Sequence, residues 1–175
     1  MRQKQLLLRT AAHIIQTEGI QQLSMEHLAK RAGITKGGVL YHFESKANLL
    51  RQMNGMALDE FENRIAHHQA GMDGPYPFTR AYALATLDYS EGDADLIAVF
   101  ISSQEDASGT LWNDAAKRWD EQFATDGPDA DRVLELRLLC DGFWFALTYG
   151  YSETFKERAV RLIRQKCDAL SNGGS

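Results

Sequence analysis

Lys36, Tyr41, His42 and Lys46 carry most of the chemistry that this chain of 175 residues can offer, and it is the chemistry of recognition. The two lysines bring fixed positive charge, and Tyr41 and His42 bring hydrogen-bond donors for phosphate oxygens. Between them stand Gly37 and Gly38. Each glycine is less favourable in a helix than alanine by roughly 1 kcal/mol. Two in a row make sense where a backbone must approach a base edge or a sugar–phosphate strand. Catalytic patterns do not compete: the sequence has no GxSxG, HExxH, P-loop or GxGxxG, and no Glu-x-x-His pair for a di-iron bundle. The adjacent histidines His67-His68 point about 100° apart on a helix, a poor geometry for one shared ligand, and read as a solvated face with Glu105-Asp106. No metal site, catalytic residue or cofactor is expected.

The elements that position these residues are marked by caps. Ser24 is an N-cap, with Leu23 and Leu28 spaced as a hydrophobic staple. His27 stands where a reciprocal capping-box acid would be. The helix that follows, Met25 to Arg31, buries Leu28 and Ala29 and ends at Gly33. Thr35 caps a second short helix flanked by Ile34 and Val39, and Ser45 caps a third with Lys46 in its first turn. Helix N-terminal amides beside a lysine suit a phosphate. The spacing predicts a helix-turn-helix whose second helix can enter a DNA major groove. Its candidate DNA-contacting set is Ser24, Thr35, Lys36, Gly37, Gly38, Tyr41, His42 and Lys46.

These segments, TAAHIIQTEG, SMEHLAKRAG, ITKGGVLYHF and ESKANLL, closely resemble the start of the tetracycline-repressor (TetR) family of bacterial transcription regulators. The resemblance covers about the first fifty residues. Gly38 stands where Thr or Ser is frequent in the family and Leu40 where Tyr is frequent, so the DNA sequence preference does not carry over. The resemblance implies a homodimer on a pseudo-palindromic operator. It also implies that a small molecule in the C-terminal domain shifts the fourth helix and moves the DNA-reading heads apart.

Charge separates the chain into two parts. Residues 1–51 hold eight Lys/Arg against three acids, a net +5; with −5 for the whole chain, the remainder carries −10. A basic head on an acidic body fits a DNA-reading module joined to one that does not read DNA. The acidity weakly favours a neutral or cationic effector. Cys140 and Cys167 lack metal-ligand spacing and read as buried thiols. Neither a signal peptide nor an apolar run of membrane-spanning length is visible, so a soluble cytoplasmic protein without membrane contact is expected.

The whole chain reads as all-α, about nine helices, with an N-terminal three-helix helix-turn-helix domain over 1–48 and a helical effector-binding and dimerisation domain over 49–175. Leu7, Ala11, Ile14 and Ile15 share one face of the first helix. The fourth helix runs from Ser45 to about Ala70, and Gly71 to Pro77 breaks it. Phe78, Tyr82, Ala85 and Tyr89 define the next helix. A run around LIAVFI, from Asp95 to Gln104, reads as deeply buried, and Trp112, Ala116, Trp119 and Phe123 share a further face. Two long helices close the chain, about 129–149 and 153–170, before a frayed tail at 172–175. Their apolar surplus predicts a dimer interface built on Leu136, Cys140, Phe143, Leu147, Phe155 and Leu162. The aromatic density predicts an effector pocket with Met53, Met56, Tyr82, Tyr89, Trp112, Trp119 and Trp144, and Phe100 nearby. Two other functions stand against an effector-released repressor: a constitutive DNA-binding regulator with a filled interior and, more distantly, an all-helical enzyme or metal protein.

Overall fold

A computed structural model describes residues 2–91 and 106–171. The predicted helix over 95–104, with Phe100, lies outside the described residues, as do the Glu105 and Asp106 side chains and the tail at 172–175. Eight α-helices make up the described chain, and it contains no strand. They are α1 (Arg2–Glu18), α2 (Met25–Ala32), α3 (Lys36–Phe43), α4 (Lys46–Gln69), α5 (Pro77–Leu87), α6 (Asp106–Phe123), α7 (Ala130–Thr148) and α8 (Glu153–Ser171). Short 3-10 turns follow α1 at Ile20–Gln22 and α5 at Asp88–Glu91. No described helix is long and apolar enough to cross a membrane.

The chain forms two compact units. In the first, residues up to Leu58 join the start of α6 as far as Asn113. Its core takes Leu7, Ala11, Ile14 and Ile15 from α1, Leu28 from α2, Val39 and Phe43 from α3, and Leu49, Leu50 and Met53 from α4. Fully burying a side chain such as Phe43 contributes about 1.5–3 kcal/mol. That burial holds an eight-residue α3 which, alone, is far too short to persist in water.

The second unit comprises 59–92 and 114–175. Asp126, from the loop after α6, caps α5 through space: its carboxylate accepts from the amides of Phe78 at 2.9 Å and Thr79 at 2.6 Å. Gly127 makes this approach possible, because a Cβ there would sit 2.3 Å from the Tyr76 ring. Asp129 caps α7 by accepting from Asp131 and Arg132 amides. On α6 the buried stripe runs through Ala115, Trp119 and Phe123; Ala116, expected on that face, is half-buried one step around the helix. Both cysteines are buried, free thiols.

Candidate nucleic-acid interface

The turn between α2 and α3 is built by capping at both ends. Ser24 Oγ accepts from the His27 amide at 3.0 Å. Gly33 takes φ +69°, and the amides of Gly33 and Ile34 return to Lys30 and Ala29 carbonyls, closing a Schellman motif. Thr35 Oγ1 then accepts from the Gly38 amide at 3.1 Å and starts α3. His27, lacking the capping-box role, faces Glu18 at 3.4 Å, and Glu18 also holds Arg31 at 2.5 Å, tying α1 to α2.

With Val39 and Phe43 buried, α3 turns its other side outward. Tyr41 is 84% exposed, Thr35, Lys36 and Gly37 are exposed, and Gly38 and His42 are half-buried. The two glycines differ. A Cβ on Gly37 would meet nothing closer than Thr35 Oγ1 at 3.8 Å, whereas one on Gly38 would come within 3.3 Å of Ile34 Cδ1. Gly37 therefore keeps an open backbone surface, and Gly38 also serves packing inside the turn.

Both candidate lysines have partners within the chain. Lys36 Nζ donates to Glu26 Oε1 at 2.5 Å, and this bond with the adjacent charge holds the Glu26 carboxyl below its usual range. Lys46 Nζ donates to the Ile20 carbonyl at 3.2 Å, fastening the start of α4 to the turn after α1. Glu44 joins α3 to α4 at φ +60° and ψ −42°, and the Ser45 amide donates back to the Phe43 carbonyl at 2.5 Å. This is a γ-turn of the rare, strained hand. Sequence reasoning missed it, because glutamate signals no positive φ. Ser45 Oγ accepts from the Asn48 amide at 3.1 Å, as its capping role requires.

In the second unit the predicted pocket aromatics divide. Tyr82, Tyr89, Trp119 and Trp144 gather around Phe61, with ring centroids 5.3–6.0 Å from it. Phe61 was not among the predicted pocket residues, yet it is the hub. Most of these contacts are edge-to-face, the favourable setting for aromatic quadrupoles. Tyr82 Oη donates to Asp141 Oδ1 at 3.1 Å, and burial pushes the Tyr82 phenol well up. The other three candidates belong to the first unit: Met53 lies in its core, Met56 is 37% exposed, and Trp112 Nε1 donates to Asn54 Oδ1 at 2.7 Å. A cleft of about 270 Å³ opens beside Ile65, Phe78 and Trp119, with the Glu62–Arg118 ion pair, 2.7 Å, at its rim. Among the described residues no cluster of three or more His, Cys, Asp or Glu is placed to hold a metal.

Residues 7–53 match the family model described as bacterial regulatory proteins, tetR family, and residues 77–166 match that of the tetracyclin repressor-like C-terminal domain. The chain belongs to the TetR family. It is thus a DNA-binding transcription regulator and not an enzyme. Solved structures with the same fold include a TetR-family regulator from Rhodococcus sp., 16% identical, with 98% of this chain and 100% of that one covered at TM-score 0.73. The ketosteroid transcriptional regulator KstR2 of Mycobacterium tuberculosis is 15% identical over 98% and 95% of the two chains, TM-score 0.70. AibR, solved in complex with isovaleryl coenzyme A and operator DNA, is 17% identical over 97% and 98%, TM-score 0.69.

The last two helices of this TetR-family chain place the predicted interface residues on two different faces. Leu136, Cys140 and Phe143 are buried within the protein's own fold, Phe143 at 1% exposure. They are spent on the intramolecular core, because α7 turns that face inward, and Leu147 is half-buried. The outward apolar surface is carried by Leu134, Leu138, Phe145 and Tyr149, together with Phe155 and Leu162 of α8. A groove of about 720 Å³ runs between α7 and α8, lined by Leu138, Leu139, Gly142, Phe155 and Leu162 over a floor that includes Phe143.

Proposed function

We propose that this TetR-family regulator is a homodimeric repressor that a small molecule releases from a pseudo-palindromic operator. The observation that carries the DNA part is α3: N-capped by Thr35, packed by Val39 and Phe43, and turning Lys36, Gly37 and Tyr41 to solvent. Residues 1–48 supply the reading head, with Ser24, Thr35, Gly38, His42 and Lys46 positioning or flanking that edge. Residues 49–175 supply effector binding and dimerisation. A DNA-reading role puts the protein in the cytoplasm.

The outward apolar face of α7 and α8 supports pairing with a second copy. For the effector, the cleft beside Trp119 offers an apolar floor and an ion pair that can open. AibR supports the pairing of small molecule and operator, since its structure holds both. A second reading, constitutive DNA binding, is favoured by one observation: the rings around Phe61 occupy the centre of the second unit.

Selection of bound duplexes from a random library tests the proposal. A recovered site with two-fold symmetry, bound by a species of twice the chain mass in light scattering, is the expected result. Recovery of no enriched sequence removes the operator reading. Small molecules that perturb tryptophan emission are then added to the selected complex. Dose-dependent release supports the repressor, and binding without release leaves the constitutive reading.

A further inference from the structure

Asn54 is the fully buried polar side chain among the described residues of the first unit, at 0% exposure in an apolar core. Its Nδ2 donates to the Leu50 carbonyl at 2.9 Å, within α4. Its Oδ1 accepts from Trp112 Nε1 at 2.7 Å, on α6. Trp112 is half-buried against the same core that holds α1 to α3. A buried amide bonded in this way is directional as well as cohesive: moving either helix along or about its axis lengthens or bends the bond. Both helices are shared between the compact units, α4 changing over after Leu58 and α6 after Asn113. The bond thus joins the two shared helices within the DNA-reading unit itself. From Asn54, α4 runs about 12 Å, two turns, to Lys46 and the Glu44 turn that sets α3.

We propose that Asn54 is a positioning residue for DNA reading: through its bond to Trp112 it fixes the setting of α4, and hence of α3, to the start of α6. Trp112 then serves this link and not a ligand pocket. A displacement of the start of α6 would strain this indole–amide hydrogen bond and with it the setting of α4. The inference rests on the DNA-binding reading above, and its test separates the two.

Trp112→Phe removes the donor and keeps an apolar ring, and Asn54→Leu removes the acceptor at similar volume. Affinity is measured for the duplex recovered by library selection. Each single variant is expected to lose about five- to thirty-fold in affinity. The double variant is expected to lose no more than either single, because the two share one interaction. Helical circular dichroism and dimer mass should stay as in the wild type. Hydrogen exchange without DNA is the second arm. Trp112→Phe should speed exchange in 36–43 and 46–58 as well as in 106–113, leaving 130–171 unchanged. Acceleration confined to 106–113 would make the bond a local anchor and overturn the proposal, as would unchanged affinity or additive losses. If the wild type binds no duplex, the DNA reading fails by itself and hydrogen exchange still decides this one.

Discussion

The two compact units use their aromatic and charged residues in opposite ways. In the first, aliphatic side chains with Phe43 make the core, and Tyr41, Lys36 and Thr35 on α3 face out. In the second, the aromatics face in, with Tyr82, Tyr89, Trp119 and Trp144 packed about Phe61, while leucines and Phe155 face out on α7 and α8. A rigid small head can present a few exposed groups with fixed geometry. The second unit spends its large rings on cohesion and leaves its outward surface apolar, which is what contact with another protein surface needs. The aromatic side chains are thus placed oppositely, exposed on α3 at Tyr41 and buried about Phe61 in the second unit.

The strongest way to break this contrast is at its hub. Phe61→Ala should destabilise the second unit by about 3–5 kcal/mol, the range for removing a large buried aromatic. Urea unfolding followed by tryptophan emission measures it. A loss below about 1 kcal/mol would mean that the rings enclose space and do not depend on Phe61, and would favour a ready-made cavity.

Next comes the outward face. Leu138 is 61% exposed, so Leu138→Glu should leave the stability of the single chain within about 0.5 kcal/mol. It should convert the dimer to a monomer in light scattering and weaken operator binding about a hundred-fold or more by removing the second head. Phe143→Glu, at a buried position, should instead unfold the protein. If both variants remain dimeric, the interface lies elsewhere.

How much of this was legible in the sequence differs between the units for a physical reason. Caps, staples and the Gly33 turn are local, set by residues within five positions of one another, so both ends of α2 and α4 and the start of α3 were readable to within about a residue. The contacts of Lys36 and Lys46 span 10 and 26 residues, and no spacing rule announces them. In the second unit the helices and their aromatic content were readable. The side of α7 that faces inward was not, because Leu134, Leu136, Leu138, Leu139, Cys140 and Phe143 leave no polar face to choose by. The same blindness hid Phe61 as hub and Trp112 as the partner of Asn54.

Within the head, stability and recognition can be separated. Thr35→Ala removes an N-cap and should cost about 1 kcal/mol of stability, read by thermal or urea unfolding. Tyr41→Phe should leave stability unchanged and cost about 1–2 kcal/mol of operator binding, the worth of a charge-assisted phosphate bond. If Tyr41→Phe binds like the wild type, the exposed phenol touches no phosphate.

Glu26 offers a gain in place of a loss. Its carboxylate holds Lys36 and adds negative charge beside the reading edge. Glu26→Gln frees the lysine for phosphate, so affinity should rise about two- to five-fold on cognate and random duplexes alike, with a steeper dependence on salt. A fall in affinity would show that Glu26 aims Lys36 rather than competing for it.

The smallest effect tests whether charge in the second unit is merely tolerated. Asp141 accepts from the Tyr82 hydroxyl at 3.1 Å and faces Arg137 Nε at 3.7 Å. Burial raises its pKa above the ordinary 3.8, outweighing Arg137 and the Tyr82 bond, which both lower it. The folded chain thus binds this proton more tightly than the unfolded chain does. Its contribution to stability is greatest at acid pH, declines as pH rises from 3.8 through the raised value, and stays at the lower level to neutrality. Asparagine keeps an acceptor for Tyr82 and removes the charge. The side chain is about half exposed, so water screens most of the penalty and the gain at neutral pH should not exceed about 0.5 kcal/mol. Asp141→Asn should therefore melt slightly above the wild type at pH 7, and the two should converge as the buffer falls below about pH 4. A variant that melts lower at pH 7 would mean that the Arg137 contact outweighs desolvation, and the pH dependence would then run the other way.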